Sequence, residues 1–506
     1  MNDLLHGQPH RSWAESARLF LSPKVLALLF LGFSAGVPIL LVFSTLSVWL
    51  REAGVERAAI GFFSWAALGY GFKFVWAPLI DKLPVPVLSR VLGRRRSWLL
   101  VAQGLILAAL AWMAVTDPIQ NLTAMALGAV MLGFSSATQD IVIDAYRIEA
   151  AEENLQGLMS AAYIAGYRLG MLVAGAGALE LAGILDVVEG YDYSAWRTTY
   201  FAMMGVMGVG VLTTLVIREP QYQNGTSEKL QSTMDYARFV ALFVLAASAF
   251  VAVFVLWGRY EVPVKGFLGQ SARLGLAVLT ALVTGWALVR ARLISHDVAQ
   301  ETYVDPFMDF FHRYGRAALL VLALVATFRI SDVVMGVMAN VFYVDLGFEK
   351  QDIGRITKGF GLIATILGGF VGGLLTARYG VMKTLFVGGV LVAVTNALFA
   401  VLAGMGPQIW MLAAVIAADN LSAGIASAAF VAYLSGLTSK GFTATQYALF
   451  SSMMLLLPKL IAGYSGVAVE AVGYATFFIG CAAIGVIPLI LIVFVARIMP
   501  GIAPKH

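Results

Sequence analysis

Apolar runs of 18 residues or more recur along this chain, separated only by short polar loops. Each run is long enough to cross about 30 Å of hydrocarbon as a helix rising about 1.5 Å per residue. In lipid every backbone polar group must be satisfied internally, so the choice lies between helices and a closed barrel. The alternating pattern of barrel strands, about ten residues per strand, is absent, which predicts an all-α polytopic membrane protein. Composition agrees, since the 506 residues are 60% hydrophobic and 12% charged, against about 25% charged in soluble domains. The first run, about Val25 to Leu50, exceeds the roughly 7 to 15 residues of a signal-peptide core and reads as a first span. The single cysteine, Cys481, excludes an internal disulfide, a cysteine metal cluster and a CxxC redox motif.

The runs place spans near 24–50, 58–80, 97–115, 121–146, 156–180 and 198–217, a first six-helix bundle over 24–217 after an N-terminal tail of 1–23. A linker and two-helix insertion follow over 218–291, with spans near 237–257 and 273–291. Residues 292–316 form a polar segment in which Phe307, Phe310 and Phe311 share a helical face opposite Asp309 and Arg313, the pattern of an interfacial amphipathic helix. Six further spans near 317–345, 353–377, 382–404, 409–437, 443–468 and 475–497 make a second bundle over 317–497, with a tail of 498–506, for 14 spans in all. Most of the 34 Lys and Arg fall in loops on the N-terminal side of the membrane, led by Arg94, Arg95 and Arg96. The positive-inside rule therefore puts both termini in the cytoplasm and accounts for the net charge of +5 without nucleic acid.

The two bundles are related. The segment Ser47 to Gly61 (SVWLREAGVERAAIG) aligns without gaps on Asn340 to Gly354 (NVFYVDLGFEKQDIG), and Leu158 and Arg168 are spaced as Leu449 and Lys459 are. A duplicated six-span unit with parallel halves and a site between them describes the major facilitator architecture.

Nine ionisable residues interrupt the apolar spans: Lys73, Asp140, Asp144, Arg168, Arg329, Asp332, Lys358, Asp419 and Lys459. Each would cost roughly 2.5 to 3.5 kcal/mol at a bilayer centre, so they must face one another or a water-filled cavity. They fall only in the first, second, fourth and fifth spans of each six, the helices that line the cavity or join the halves in that architecture. Their five cations outnumber four carboxylates, which favours an anionic ligand. Arg329 and Asp332, three residues apart, suit a mutual ion pair as well as a ligand site. The five histidines lie in loops or tails, so proton exchange would fall to Asp140, Asp332 or Asp419. Asp144 pairs equally well with Arg147 or the Arg94–Arg96 loop. Gln139, Asn420 and Gln446 add hydrogen-bonding groups for a polar ligand, and Tyr70, Trp76, Tyr163, Tyr167 and Tyr433 are nearby aromatics that read as packing or ligand stacking. Gly32-Phe-Ser-Ala-Gly36 fits a hydrolase nucleophile pattern but lacks the strand–turn–helix setting; it reads as a helix contact, as do Gly166 with Gly170 and Gly369 with Gly373. No HExxH, P-loop or dinucleotide motif in its structural setting appears, and no enzyme activity, metal or cofactor is expected.

The segments G61-F-F-S-W, F72-K-F-V-W-A-P-L-I-D81, G93-R-R-R-S-W-L-L100, S136-A-T-Q-D-I-V-I-D-A145, G166-Y-R-L-G-M-L-V173 and T443-A-T-Q-Y-A-L449 resemble the AmpG-type muropeptide permeases. The resemblance implies a monomeric carrier of the bacterial inner membrane, importing anhydromuropeptides with protons as the only coupling ion, for cell-wall recycling and, in some bacteria, β-lactamase induction. It matches Gln139, Asp140, Asp144, Arg168, Lys358, Asp419 and Asn420 to the family's polar positions, and with the residues read above the candidate substrate contacts are Gln139, Tyr167, Arg168, Arg329, Asp419, Asn420, Gln446 and Lys459. Lys73, Asp81, Arg94, Arg95, Arg96, Asp144, Arg147 and Lys358 would gate the cavity. Two rival readings stay open: a carrier of another bulky anion such as acetyl-CoA, and a membrane sensor without net transport.

Overall fold

The computed structural model describes residues 19–55, 68–150, 155–186, 190–220, 233–259, 267–291, 300–462 and 464–498, and among them every regular element is a helix. Ten of these helices are long and apolar enough to span a membrane. The first half comprises α1 (Pro23–Glu52), the short α2 (Leu68–Phe72) and α3 (Ala77–Lys82), α4 (Arg94–Ala114), α5 (Leu122–Ala150), α6 (Gln156–Leu172) and α7 (Tyr193–Val216). The inserted pair is α8 (Thr233–Arg259) and α9 (Phe267–Arg290), followed by α10 (Asp305–Tyr314). The second half holds α11 (Ala317–Thr327), α12 (Ile330–Asp345), α13 (Gly361–Tyr379), α14 (Val381–Met405), α15 (Ile409–Leu437), α16 (Thr443–Ala462), α17 (Ser465–Ile484) and α18 (Val486–Ile498). The four predicted spans outside the ten, near 58–80, 237–257, 273–291 and 443–468, are helical where described. Of the span near 58–80 only the end, as α2 and α3 joined by the 3-10 turn Lys73–Val75, lies among the described residues.

The sequence repeat becomes a structural one. At the end of α1, Gly54 adopts φ 77° and the Val55 amide donates to the Leu50 carbonyl; at the end of α12, Gly347 adopts φ 94° and the Phe348 amide donates to the Tyr343 carbonyl. Both are left-handed C-caps that only glycine enters without strain. The acidic residue two positions earlier is held alike in both halves: Trp196 Nε1 donates to Glu52 at 2.7 Å, and the Tyr474 hydroxyl donates to Asp345. Trp49, aligned with Phe342, stacks on Trp196 at 5.6 Å, while Phe342 meets Tyr474 at 5.0 Å.

Close helix approach relies on small residues, because lipid offers no hydrophobic drive between helices. The GxxxG pairs expected from sequence meet each other: a Cβ at Gly36 would run into the Tyr167 carbonyl oxygen, and one at Gly166 into that of Leu29. Helices α1 and α6 therefore touch backbone to backbone. In the second half a similar contact joins the second and fourth spans, α13 and α15, through Gly368 and Gly424. Gly373 does approach a neighbour, but Gly369, its expected partner, has open space where a Cβ would go.

The halves join through two seams. The end of the second span, α2 and α3, packs on α16, and α6 packs on α13. Both seams lie toward the end of the molecule that carries Arg94–Arg96. There the buried clusters mix the halves: Ala444 and Ala448 pack with Trp76, Ile80 and Ile143, and Ile148 packs with Phe430 and Tyr447. At the opposite end, among the described residues, the buried clusters belong to one half each. The inserted pair α8 and α9 lies beside the second span, with Leu242 against Leu83, and Phe250 6.0 Å from Phe72.

Candidate functional site: a charged path between the halves

Several predicted intramembrane charges sit where helices are interrupted. Lys73 opens the 3-10 turn between α2 and α3, Arg329 sits between α11 and α12, and Lys358 falls in the π-helical turn Gly354–Phe360, its side chain outside the described set. Arg168 lies just before the π turn Val173–Gly177. Such irregular turns accompany functional positions in membrane helices, because they free backbone groups toward a cavity.

A first group lies deep in the first half. Lys73 Nζ is 3.6 Å from Asp144 Oδ2, and Asp144 Oδ1 accepts from Arg147 Nη2 at 3.3 Å. Asp140, one turn along α5, lies within electrostatic reach of Lys73, Asp144, Tyr163 and Tyr167. It is buried, and its Oδ1 lacks a hydrogen-bond partner among the described residues. Burying a charge without full hydrogen bonding is costly, and a proton removes the charge.

A second group lies in the other half. Arg329 Nη2 pairs with Asp332 Oδ2 at 2.7 Å, with side chains 28% and 22% exposed. The pair anticipated from their spacing thus forms without being sealed off. Arg168 of the first half lies within electrostatic reach of both members. Asp419 accepts from Thr395 Oγ1 at 3.4 Å and lies within reach of Asp332. Its neighbour Asn420 accepts from Thr365 Oγ1 at 2.8 Å.

Three predicted ligand contacts fall elsewhere. Gln139 is fully buried between α5 and α1, accepting from Ser34 Oγ at 3.0 Å and donating to the Ser34 carbonyl at 3.2 Å. Gln446 sits at the basic end, held by α10, because Asp309 and Pro306 supply acceptors and Arg313 a donor within 2.9 Å. Lys459, next to Pro458 in α16, is exposed and is not brought to either group.

At the basic end the predicted gating residues converge. Asp81 accepts from Arg95 Nη2 at 2.8 Å and, across the seam, from the Ala444 and Thr445 amides at 3.0 and 2.7 Å and from Thr445 Oγ1 at 2.7 Å. A carboxylate of one half thereby caps the N-terminus of a helix of the other, where the helix dipole favours negative charge. Arg95 also grips Glu149, with Nε to Oε2 at 3.0 Å, and donates to Thr443 Oγ1 at 2.6 Å. Arg94 donates to the Asp81 carbonyl and lies 3.6 Å from Glu149. Arg147 crosses the seam to Ser435 Oγ and stacks over Tyr447 at 5.0 Å. Arg96, predicted in the gate, instead donates to the Thr214 and Leu215 carbonyls at 3.0 and 2.7 Å and caps the end of α7.

Sequence reasoning missed Glu149, Glu219, Thr443 and Thr445. Glu149 lies five residues beyond Asp144 on the same helix, and that extension of the charge pattern was the available signal. Glu219 receives the Arg95 and Arg96 amides at 2.8 and 3.0 Å. Burial pushes its carboxyl above the ordinary range, although those two amides pull against the shift.

This fold is shared with major facilitator transporters. FucP in its outward conformation aligns with a TM-score of 0.56 at 11% identity, over 93% of this chain and 97% of that one. A double-tryptophan XylE mutant aligns at 0.59 and 12% identity, over 97% of each. In sequence, the anhydromuropeptide permease of Escherichia coli K12 is 30% identical over 94% of this chain and 80% of its own length. The putative transporter AmpG 4 of Rickettsia conorii is 31% identical over 91% and 94%. The chain thus belongs to the AmpG-type family of anhydromuropeptide permeases within the major facilitator superfamily. The family model described as acetyl-coenzyme A transporter 1 also matches residues 24–191.

Proposed function

We propose that the protein is a secondary carrier that imports anhydromuropeptides across the bacterial inner membrane by proton-coupled alternating access, for peptidoglycan recycling. The observation that carries this reading is that Arg168 of one half lies within electrostatic reach of the Arg329–Asp332 pair of the other, whose side chains stay 28% and 22% exposed. Fixed guanidinium groups on opposite halves suit the carboxylates of a peptide stem, for which a planar donor fork is well matched. The name carried by the Escherichia coli relative supports the sugar-peptide substrate.

The positive-inside bias supports a cytoplasmic basic end, so the closed end faces the cytoplasm and the parted end faces the periplasm. Asp140 is the favoured proton carrier, since its unpartnered oxygen makes it costly as an ion and its exposure would change as the halves rock. Asp332 and Asp419 form the alternative pair. No cofactor enters this cycle, and the protein works as a monomer.

Uptake of labelled anhydromuropeptide into vesicles, with and without a proton gradient, tests the reading. Asp140→Asn should abolish gradient-driven accumulation, and Arg168→Ala should weaken uptake at low substrate. Unchanged gradient-driven uptake in both variants would overturn the assignment. The family-model match over residues 24–191 favours acetyl-CoA as the second reading, and competition by unlabelled acetyl-CoA against the muropeptide separates the two.

A further inference from the structure

We infer that the segment Gln300–Tyr314 between the halves is a strap that holds the basic end shut, bonded at one end to the first half and at the other to the second. Its first turn reaches α3, where Glu301 Oε1 accepts from Lys82 Nζ at 2.9 Å. Lys82 in turn lies 4.9 Å over the ring of Phe442, just before α16.

The strap's second part, α10, is clasped to α16 itself. Gln446 Nε2 donates to the Pro306 carbonyl at 2.7 Å and to Asp309 Oδ2 at 2.8 Å. Its Oε1 accepts from Arg313 Nη2 at 2.9 Å and from the Ser439 amide at 2.8 Å. All the bonding capacity of that carboxamide is used. Below it Phe310 is buried, 5.2 Å from Phe450 of α16 and 4.8 Å from Tyr314. The clasp on α16 is therefore dense, and on the other side the Lys82–Glu301 ion pair, with Glu301 23% exposed, is backed by Tyr303, which packs against the cluster around Leu83.

Helices α3 and α16 are the two that Asp81 ties together at this end, and they must separate if the end is to open. A strap bonded to both opposes that separation. The polar face of α10 serves this clasp, while Phe307 and Phe311 remain 39% and 38% exposed on its other side.

The inference rests on alternating access only in requiring that this end opens. Its test needs no substrate. In a Cys481→Ala/Ala448→Cys protein the one thiol replaces a side chain 1% exposed in the seam, and its reaction rate with a water-soluble maleimide reports opening. Glu301→Gln and Asp309→Ala should each raise that rate roughly fivefold, the ratio given by about 1 kcal/mol. Because the two bonds act in series, the double variant should react no faster than the faster single one. Rates equal to or below the parent's, or single effects that multiply in the double variant, would overturn the strap. Uptake measured on the same proteins separates the two ideas, since failed uptake with a strap-like rate pattern counts against the transport reading alone.

Discussion

The two seams between the halves occupy equivalent positions of the repeat, each pairing the second span of one half with the fifth span of the other, yet they are built from opposite chemistry. Where α3 meets α16, Asp81, Arg95, Glu149, Thr443 and Thr445 share a dense polar network. Where α6 meets α13, a Cβ at Gly157 would lie 2.7 Å from Thr376 Cγ2, and one at Gly373 would lie 2.7 Å from Ala161 Cβ. Charges can exchange a protein partner for water when a seam opens, at modest net cost. Close-packed glycines hold only by shape, and separation forfeits their dispersion contacts without compensation. The glycine seam continues on both sides, through α6 to α1 and through α13 to α15, as one closely packed layer crossing both halves. The comparison casts the charged seam as the gate and the glycine seam as the pivot.

The largest expected effect breaks the charged seam. Arg95→Ala leaves Asp81 and Glu149 without their principal cation, and removing one partner of a buried ion pair costs about 3 to 5 kcal/mol. Spin labels on α3 and α16 should report a widened basic end, while labels on α6 and α13 stay put. Widening at both seams alike would end the distinction between gate and pivot.

Next comes Gly373→Val, which drives a branched side chain into Ala161. Overpacking of this kind costs roughly 1 to 3 kcal/mol, and thermal unfolding of the purified protein should occur at lower temperature. Transport per folded molecule should fall as well, because a pivot forced apart cannot guide closure. Ser435→Ala should do less, about 1 kcal/mol, since Arg147 keeps Ser160 and Asp144 when one bond across the seam is removed. Its signature is faster opening at the basic end with unfolding little changed; a large loss of stability would show that Arg147 builds the bundle rather than the gate.

Much of this was legible in the sequence, for identifiable reasons. Apolar length fixes a span because hydrocarbon thickness is constant, and the aligned Gly54 and Gly347 report the same C-cap because few other residues enter that conformation. Charges in spans proclaim a polar path because lipid forbids them. What the sequence withholds is which partner each polar group finds. Gln139 and Gln446 look like ligand contacts from composition, but Ser34 and the Asp309–Arg313 pair reach them first. Arg94, Arg95 and Arg96 read as one cluster, yet helical rotation about 100° per residue sends Arg95 to the gate and Arg96 to the end of α7.

The smallest expected effect sharpens the same point. Gly369 and Gly373 form a GxxxG pair on α13, and the pattern alone makes them equals, but only Gly373 faces α6 while Gly369 faces open space. Gly369→Ala should therefore be neutral or stabilising by up to about 1 kcal/mol, the difference between alanine and glycine inside a helix. Thermal unfolding measured beside Gly373→Val decides it. If the two substitutions destabilise alike, the pivot is wider than the contacts of Gly157 and Gly373, and the seam must draw on the whole face of α13 rather than on one turn of it.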